Sequence, residues 1–251
     1  GSRTSSSVRS AAAIRGSAAF LFPSGRIRPE RGTPPSITSW PLAAVVVVTG
    51  APCYQPATLW RCMPDLVHDR AAAWSLLTEH TASEALRRHA LAVEASVRHY
   101  ARRMGADEEA WGNVALLHDY DYEIHPTLDQ HPQDGAATLR ERGYPEWFVR
   151  AVLSHADHLG LARESELERV LYACDELSGF VHACGLVRPD GLATLEPPSV
   201  RKKLKQKTFA AGVNRDDVVH GAEILGLDLD EHIANVIAAL RPEASALGLR
   251  G

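Results

Sequence analysis

The stretch "NVALLHDYDYEIHP", Asn113–Pro126, decides how the rest of the chain is read. An apolar run ends on adjacent His118 and Asp119, and Asp121, Glu123 and His125 follow within the next six residues. Val114 and Trp111 lie four and seven residues before His118, so the imidazole falls on the apolar face of a helix running from about Glu108 to Asp119. Titratable groups aimed at a core need a compensating partner, because an unpaired buried charge is very costly.

Working outward, the spacing predicts helix after helix. Upstream, "SEALRRHALAVEASVRHYARRMG" carries an apolar stripe at Leu86, Ala90, Val93, Val97, Tyr100 and Met104. Thr81 with Glu84 three residues on reads as its capping box, and Gly105 as its stop. Downstream come "QDGAATLRERG", "PEWFVRAVLSHADH" with Pro145 at its first helical position, and the long "ESELERVLYACDELSGFVHACG". Three more follow: "SVRKKLKQKTFAAG", "NRDDVVHGAEILG" capped by Asn214, and "DLDEHIANVIAAL" capped by Asp228. No alternating segment of convincing strand length interrupts them. The fold class is all-α, with about seven to nine helices.

A hydrophobic fraction of 45% and a charged fraction of 23% are ordinary for a soluble globular chain of 251 residues. The net charge of −4 conceals an asymmetry. Residues 1–62 hold seven arginines, no lysine and a single acid, Glu30, and sum to +6; the remainder sums to −10 and holds all twelve histidines. Residues 1–62 therefore read as a largely irregular, Ser/Arg/Pro/Gly-rich extension, with at most a short buried segment at Val45–Val48. Residues 63–251 read as the functional domain, with Met63 as its natural start. The run "PLAAVVVVTGA" is too short for a bilayer, which takes about 20 residues, and too far from the N-terminus for an ordinary signal peptide. Cys53, Cys62, Cys174 and Cys184 form no C-x-x-C pair and read as free thiols of a cytoplasmic protein.

Three further positions repeat the pattern of His118. His89 lies three after Leu86 and four before Val93, and His155 lies four after Ala151 and seven after Phe148. Asp175 lies four after Leu171, in a segment with no Lys or Arg between Arg169 and Arg188. A metal ion shared by several helices resolves these placements together. Trp111, Tyr144, Trp147 and Phe148 are spaced as core anchors, while Tyr120 and Tyr122 lie closer to the polar cluster.

The ordered set His89, His118-Asp119, Asp175, with "LRRHALAV", "ALLHDYDYE", "RGYPEWFVRAVLSHADH" and "YACDELSGFV" around it, resembles the HD-domain superfamily of metal-dependent phosphohydrolases. It is similar in particular to a bacterial subfamily of predicted hydrolases. The likeness runs from Met63 to about Leu249 and implies an HD-type helical bundle. Carried over by position, His89, His118, Asp119 and Asp175 would be the primary metal ligands. His131 and His155 occupy the slots of the two extra histidines that let some branches hold a second ion, whereas His125 and His158 fit less well. Oxygen and nitrogen ligation of this kind suits one or two divalent ions among Mn, Fe, Ni, Co, Zn and Mg.

The resemblance further implies a metal-bound water attacking phosphorus, with Asp119 helping to orient it and Asp121 or Glu123 as candidate acids for the leaving group. The nucleotidase branch carries a glutamate three residues after its HD aspartate, and this chain has Tyr122 there. Lys203, Lys207 and Arg215 are candidate phosphate contacts, the two lysines as i,i+4 neighbours on one helix. The expected partner is a small phosphorylated substrate, with no membrane. Nucleic acid is not expected as the main partner, because the domain is acidic. Two other readings suit the same residues: a di-iron oxygenase of the HD type, and a nucleotide-binding regulatory module.

Overall fold

A computed structural model describes residues 65–250 of the chain. The Val45–Val48 run, Cys53, Cys62 and the boundary at Met63 lie outside the described residues. Among those described, nine α-helices and no strand are found, as the periodicity predicts. In order they are α1 Arg70–His80, α2 Glu84–Met104, α3 Glu108–Leu116, α4 Gln133–Arg142, α5 Glu146–Ser154, α6 Glu166–Leu186, α7 Pro197–Leu204, α8 Arg215–Ile224 and α9 Leu229–Leu240. A single 3₁₀ turn, Asp157–Leu159, links α5 toward α6. None of the described helices is long and apolar enough to cross a membrane.

Helices α2 and α6, each of 21 residues, pack against one another and form the axis of the bundle. Two apolar clusters build on them. The first joins α1, α3, α4 and α5 to Ala90, Val93, Val97 and Tyr100 of α2 and to Val170, Leu171 and Cys174 of α6. The second joins α7, α8 and α9 to Ala92 and Ala95 of α2 and to Leu177, Phe180, Val181 and Cys184 of α6. Along α6 the change from one cluster to the other falls at Asp175, the position that carries a carboxylate.

Most helix ends follow local chemistry. Gly105 closes α2 at φ +66, in the left-handed region where a side chain would be strained. Ser165 and Glu168 form a complete capping box on α6. Asn214 and Asp228 cap α8 and α9 as expected. Other ends differ from the sequence expectation. The α2 cap is Ser83, whose side chain accepts from Leu86 N, while the Thr81 hydroxyl donates instead to the Tyr120 carbonyl. The place of the box glutamate is taken by Glu123, 40 residues away, which accepts from Ser83 N at 2.9 Å. Pro145 is the N-cap of α5 rather than its first residue. Helix α3 stops at Leu116, so His118 and Asp119 stand in the turns beyond it. Helix α7 stops at Leu204, which leaves Lys207 outside the helix and removes the i,i+4 relation with Lys203. Of the aromatic anchors, Phe148 and Tyr144 are buried and Trp111 is half-buried, but Trp147 is exposed.

A buried polar chain ties α2, α6 and α9 together. Tyr100 Oη donates to His232 Nδ1 at 2.7 Å, and His232 Nε2 donates to the Ala173 carbonyl at 2.9 Å. Asn235 donates to Tyr100 Oη at 3.1 Å and receives Arg103. Burial holds the His232 ring neutral, with its pKa lowered to about 4. Below pH 6.5 the unfolded chain therefore takes up a proton that the folded one refuses, and stability falls as pH drops from 6.5 toward 4. The expected loss from this residue is at most about 3 kcal/mol. Urea unfolding of wild type and His232→Gln across that pH range should show the difference between them shrinking as the solution is acidified.

Candidate metal centre

Five helices or their ends deliver the six side chains. His89 points from the second turn of α2, and Asp175 from the middle of α6. His118 and Asp119 follow the end of α3, His131 stands just before α4, and His155 is the C-cap of α5. The ends of α3 and α5 share one device. The Nδ1–H of His118 donates to the Ala115 carbonyl at 2.7 Å, and that of His155 to the Val152 carbonyl at 2.6 Å. Each ring thus bonds a carbonyl of its helix's last turn, which the residue's own backbone N–H also approaches, at 3.5 Å for His118 and 3.4 Å for His155. The same bond holds the tautomer whose Nε2 lone pair faces the centre. The negative ends of two helix dipoles also meet there, which favours positive charge.

The Nε2 atoms and carboxylate oxygens fall into two groups that share Asp119. In the first, His89 Nε2 lies 3.0 Å from Asp175 Oδ1, 3.3 Å from His118 Nε2 and 3.7 Å from Asp119 Oδ2. His118 Nε2 lies 3.4 Å from both Asp119 Oδ2 and Asp175 Oδ1. In the second, Asp119 Oδ1 lies 3.1 Å from His131 Nε2 and 3.2 Å from His155 Nε2. One carboxylate therefore presents an oxygen to each half. The ligand atoms of His89, His118 and Asp119 lie within 4.8 Å of one another, as do those of Asp119, His131 and His155, so each trio could hold a metal ion.

The chemistry of these donors fits a divalent cation. Several nitrogen lone pairs and carboxylate oxygens converge within contact distance, and among the described residues no Lys or Arg forms an ion pair with Asp119 or Asp175. Without an ion, protons must supply the positive charge. Burial opposes charge on His118, yet Asp119 and Asp175 raise its pKa well above the ordinary value. Burial also opposes charge on His131, but hydrogen bonds to Asp119 and Asp121 push its pKa up to about 9. Burial would raise the two aspartates, but the adjacent His118 outweighs it and holds both well below the usual carboxylate range.

Asp121 and Glu123, expected as candidate acids, are both engaged elsewhere. Asp121 is buried, with Oδ1 accepting from His131 Nδ1 at 2.9 Å and Oδ2 from Gly135 N at 3.1 Å. Glu123 caps α2 through Ser83 N. The phosphate candidates are also committed differently. Arg215 donates to the carbonyls of Phe209, Ala210 and Val213, closing the loop before α8. Lys203 lies over the Phe209 ring at 4.5 Å, and Lys207 is exposed beyond α7. His125 sits 3.5 Å from Asp134 rather than in either trio. Tyr120 is fully buried and its hydroxyl donates to the Gly135 carbonyl, whereas Tyr122 places its ring edge-on to His131 with centroids 5.3 Å apart. Gly135 was not singled out from the sequence; its signal there is a glycine in the first turn of a helix, where nothing local calls for one.

Residues 86–179 match the family model of the HD domain. The matched span carries the HD-domain pattern and contains all six residues of the cluster. No curated protein and no solved structure matches it.

Two outcomes check this geometry. In the metal-free protein, the raised His131 pKa adds stability that is complete below pH 6.5 and disappears as pH rises through about 9. Loading a divalent ion near pH 7 should therefore release on the order of two protons per chain, visible as a buffer-dependent heat in titration calorimetry. Glu123→Ala should lower stability by about 1 kcal/mol through the lost cap, while metal content measured by elemental analysis stays unchanged.

Proposed function

We propose that the protein is a metal-dependent phosphohydrolase acting on a phosphomonoester or phosphodiester of a small metabolite. The observation that carries this reading is the pair of donor groups sharing Asp119, because two adjoining cation sites suit the stabilisation of attacking and leaving oxygens in phosphoryl transfer. His89, His118, Asp119 and Asp175 would hold one ion, and Asp119, His131 and His155 the other. Bound divalent metal supplies Lewis acidity and a water whose pKa is brought toward neutrality.

The protein's own contribution is placement. Backbone carbonyls of α3 and α5 fix the His118 and His155 rings through Nδ1, so neither ring has to reorient when an ion arrives. Asp119 keeps both oxygens in the centre and ties the two halves into one unit. The match to the HD-domain family model supports this chemistry, and the wider choice of substrate belongs to the site rather than the fold. A di-iron oxygenase would use the same six residues, and bound iron with oxygen uptake would single it out.

The test is hydrolysis of a panel of phosphomonoesters, phosphodiesters and nucleotides with Mn, Co, Ni, Zn, Mg or Fe(II) supplied in turn. Activity should appear with at least one ion and vanish with chelator. Asp119→Ala should lower kcat by roughly 10²- to 10⁴-fold, the equivalent of several kcal/mol of lost metal assistance. Silence across the panel with every ion would overturn the proposal.

A further inference from the structure

Three histidines of the centre are anchored through Nδ1, and not alike. His118 and His155 rest on backbone carbonyls, whereas His131 rests on a carboxylate, that of Asp121. Asp121 is 1% exposed, and its ion-pair partner among the described residues is His131. A buried carboxylate needs compensating positive charge. Its Oδ1 meets the His131 imidazole, whose other nitrogen faces Asp119 and the second half of the centre. A carboxylate behind a ligating histidine fixes its tautomer and strengthens it as a donor.

The same carboxylate has a second contact that sets its position. Its Oδ2 accepts from the backbone of Gly135, the third residue of α4, and the N-cap of that helix, Pro132, makes no side-chain cap bond. Asp121 therefore serves as the cap that α4 lacks. It can do so only because residue 135 has no side chain: a Cβ there would stand 2.5 Å from Asp121 Cγ and 2.6 Å from Oδ2. The glycine is a cradle for the carboxylate, and it lies in a helix turn where its backbone freedom is not required.

We infer that Asp121 is a positioning residue for the His131–His155 half of the centre, and that Gly135 makes room for it. The pair acts on that half selectively, since the first half is built from contacts among His89, His118, Asp119 and Asp175. This rests on the two-ion reading of the site.

The test measures metal binding directly, on the full chain. Apo-protein is titrated with Co(II), with stoichiometry from elemental analysis, affinities from calorimetry and the ligand field from visible absorption. Wild type should bind two ions per chain. Asp121→Asn replaces one acceptor with an N–H₂ group. It should keep the first ion at unchanged affinity and weaken the second by about 10- to 100-fold, with loss of that ion's absorption band. Gly135→Ala, which retains the carboxylate but pushes it away, should do the same. The melting temperature of each apo-protein reports folding separately. A purely structural cap would lower that temperature and leave two ions at wild-type affinity per folded chain, which would overturn the inference. Should Asp121→Asn fail to fold, Gly135→Ala carries the decision. A wild type that binds a single ion fails at the two-ion reading itself, before any variant is compared, and takes the inference with it.

Discussion

Two carboxylates held near the axis of a helical bundle, with no arginine or lysine among the described residues to pair them, are the constraint on which this structure depends. Asp119 and Asp175 are compensated instead by a ring of imidazoles whose Nε2 atoms lie 3.0–3.7 Å from the acid oxygens. Such an arrangement stands only if positive charge is always present, as protons or as metal. The rest of the molecule fixes the rings so that the charge has one place to reside. Helices α2 and α6 supply the rigid axis, and the apolar clusters on either side of it hold the two helices together.

Helix termination and ligand orientation are one event here. Helices α3 and α5 stop where a histidine turns back onto the carbonyl three residues earlier, and each stop aims an Nε2 at the centre. The segment between α3 and α4 does more than connect. It carries Asp119 into the centre, Asp121 under α4, Glu123 onto the start of α2 and the Tyr120 carbonyl onto Thr81. Its acids take three separate places: facing the candidate metal centre, behind His131, and at the start of a helix. This is why acids so close in sequence are not interchangeable.

Legibility in the sequence follows the range of the forces involved. Helix existence was readable because the 3.6-residue period records burial directly. The six members of the cluster were readable too: His89, His155 and Asp175 break an apolar stripe with a polar group, and His131 was placed by family likeness. The C-terminal end of α3 was not, because the expected helix ran to Asp119 and the bond that stops it is made by a side chain. The Thr81–Glu84 box gave way to Ser83 and Glu123, because a residue 40 positions away reached the backbone N–H of Ser83. Local statistics do not contain that contact.

What the sequence by itself determined is the set of elements and the kind of chemistry: periodic helices, and polar groups set on their buried faces that demand a cation. What only the tertiary structure decided is the division of labour among those groups. Whether a carboxylate faces an ion, a helix N-terminus or a ring nitrogen depends on atoms brought from other helices, and contacts of a few ångströms leave no trace in spacing. Asp121 and Gly135 show this most clearly. Apart, they are an acid near a metal motif and a helix glycine; joined by a backbone N–H to carboxylate bond of 3.1 Å, they support one another.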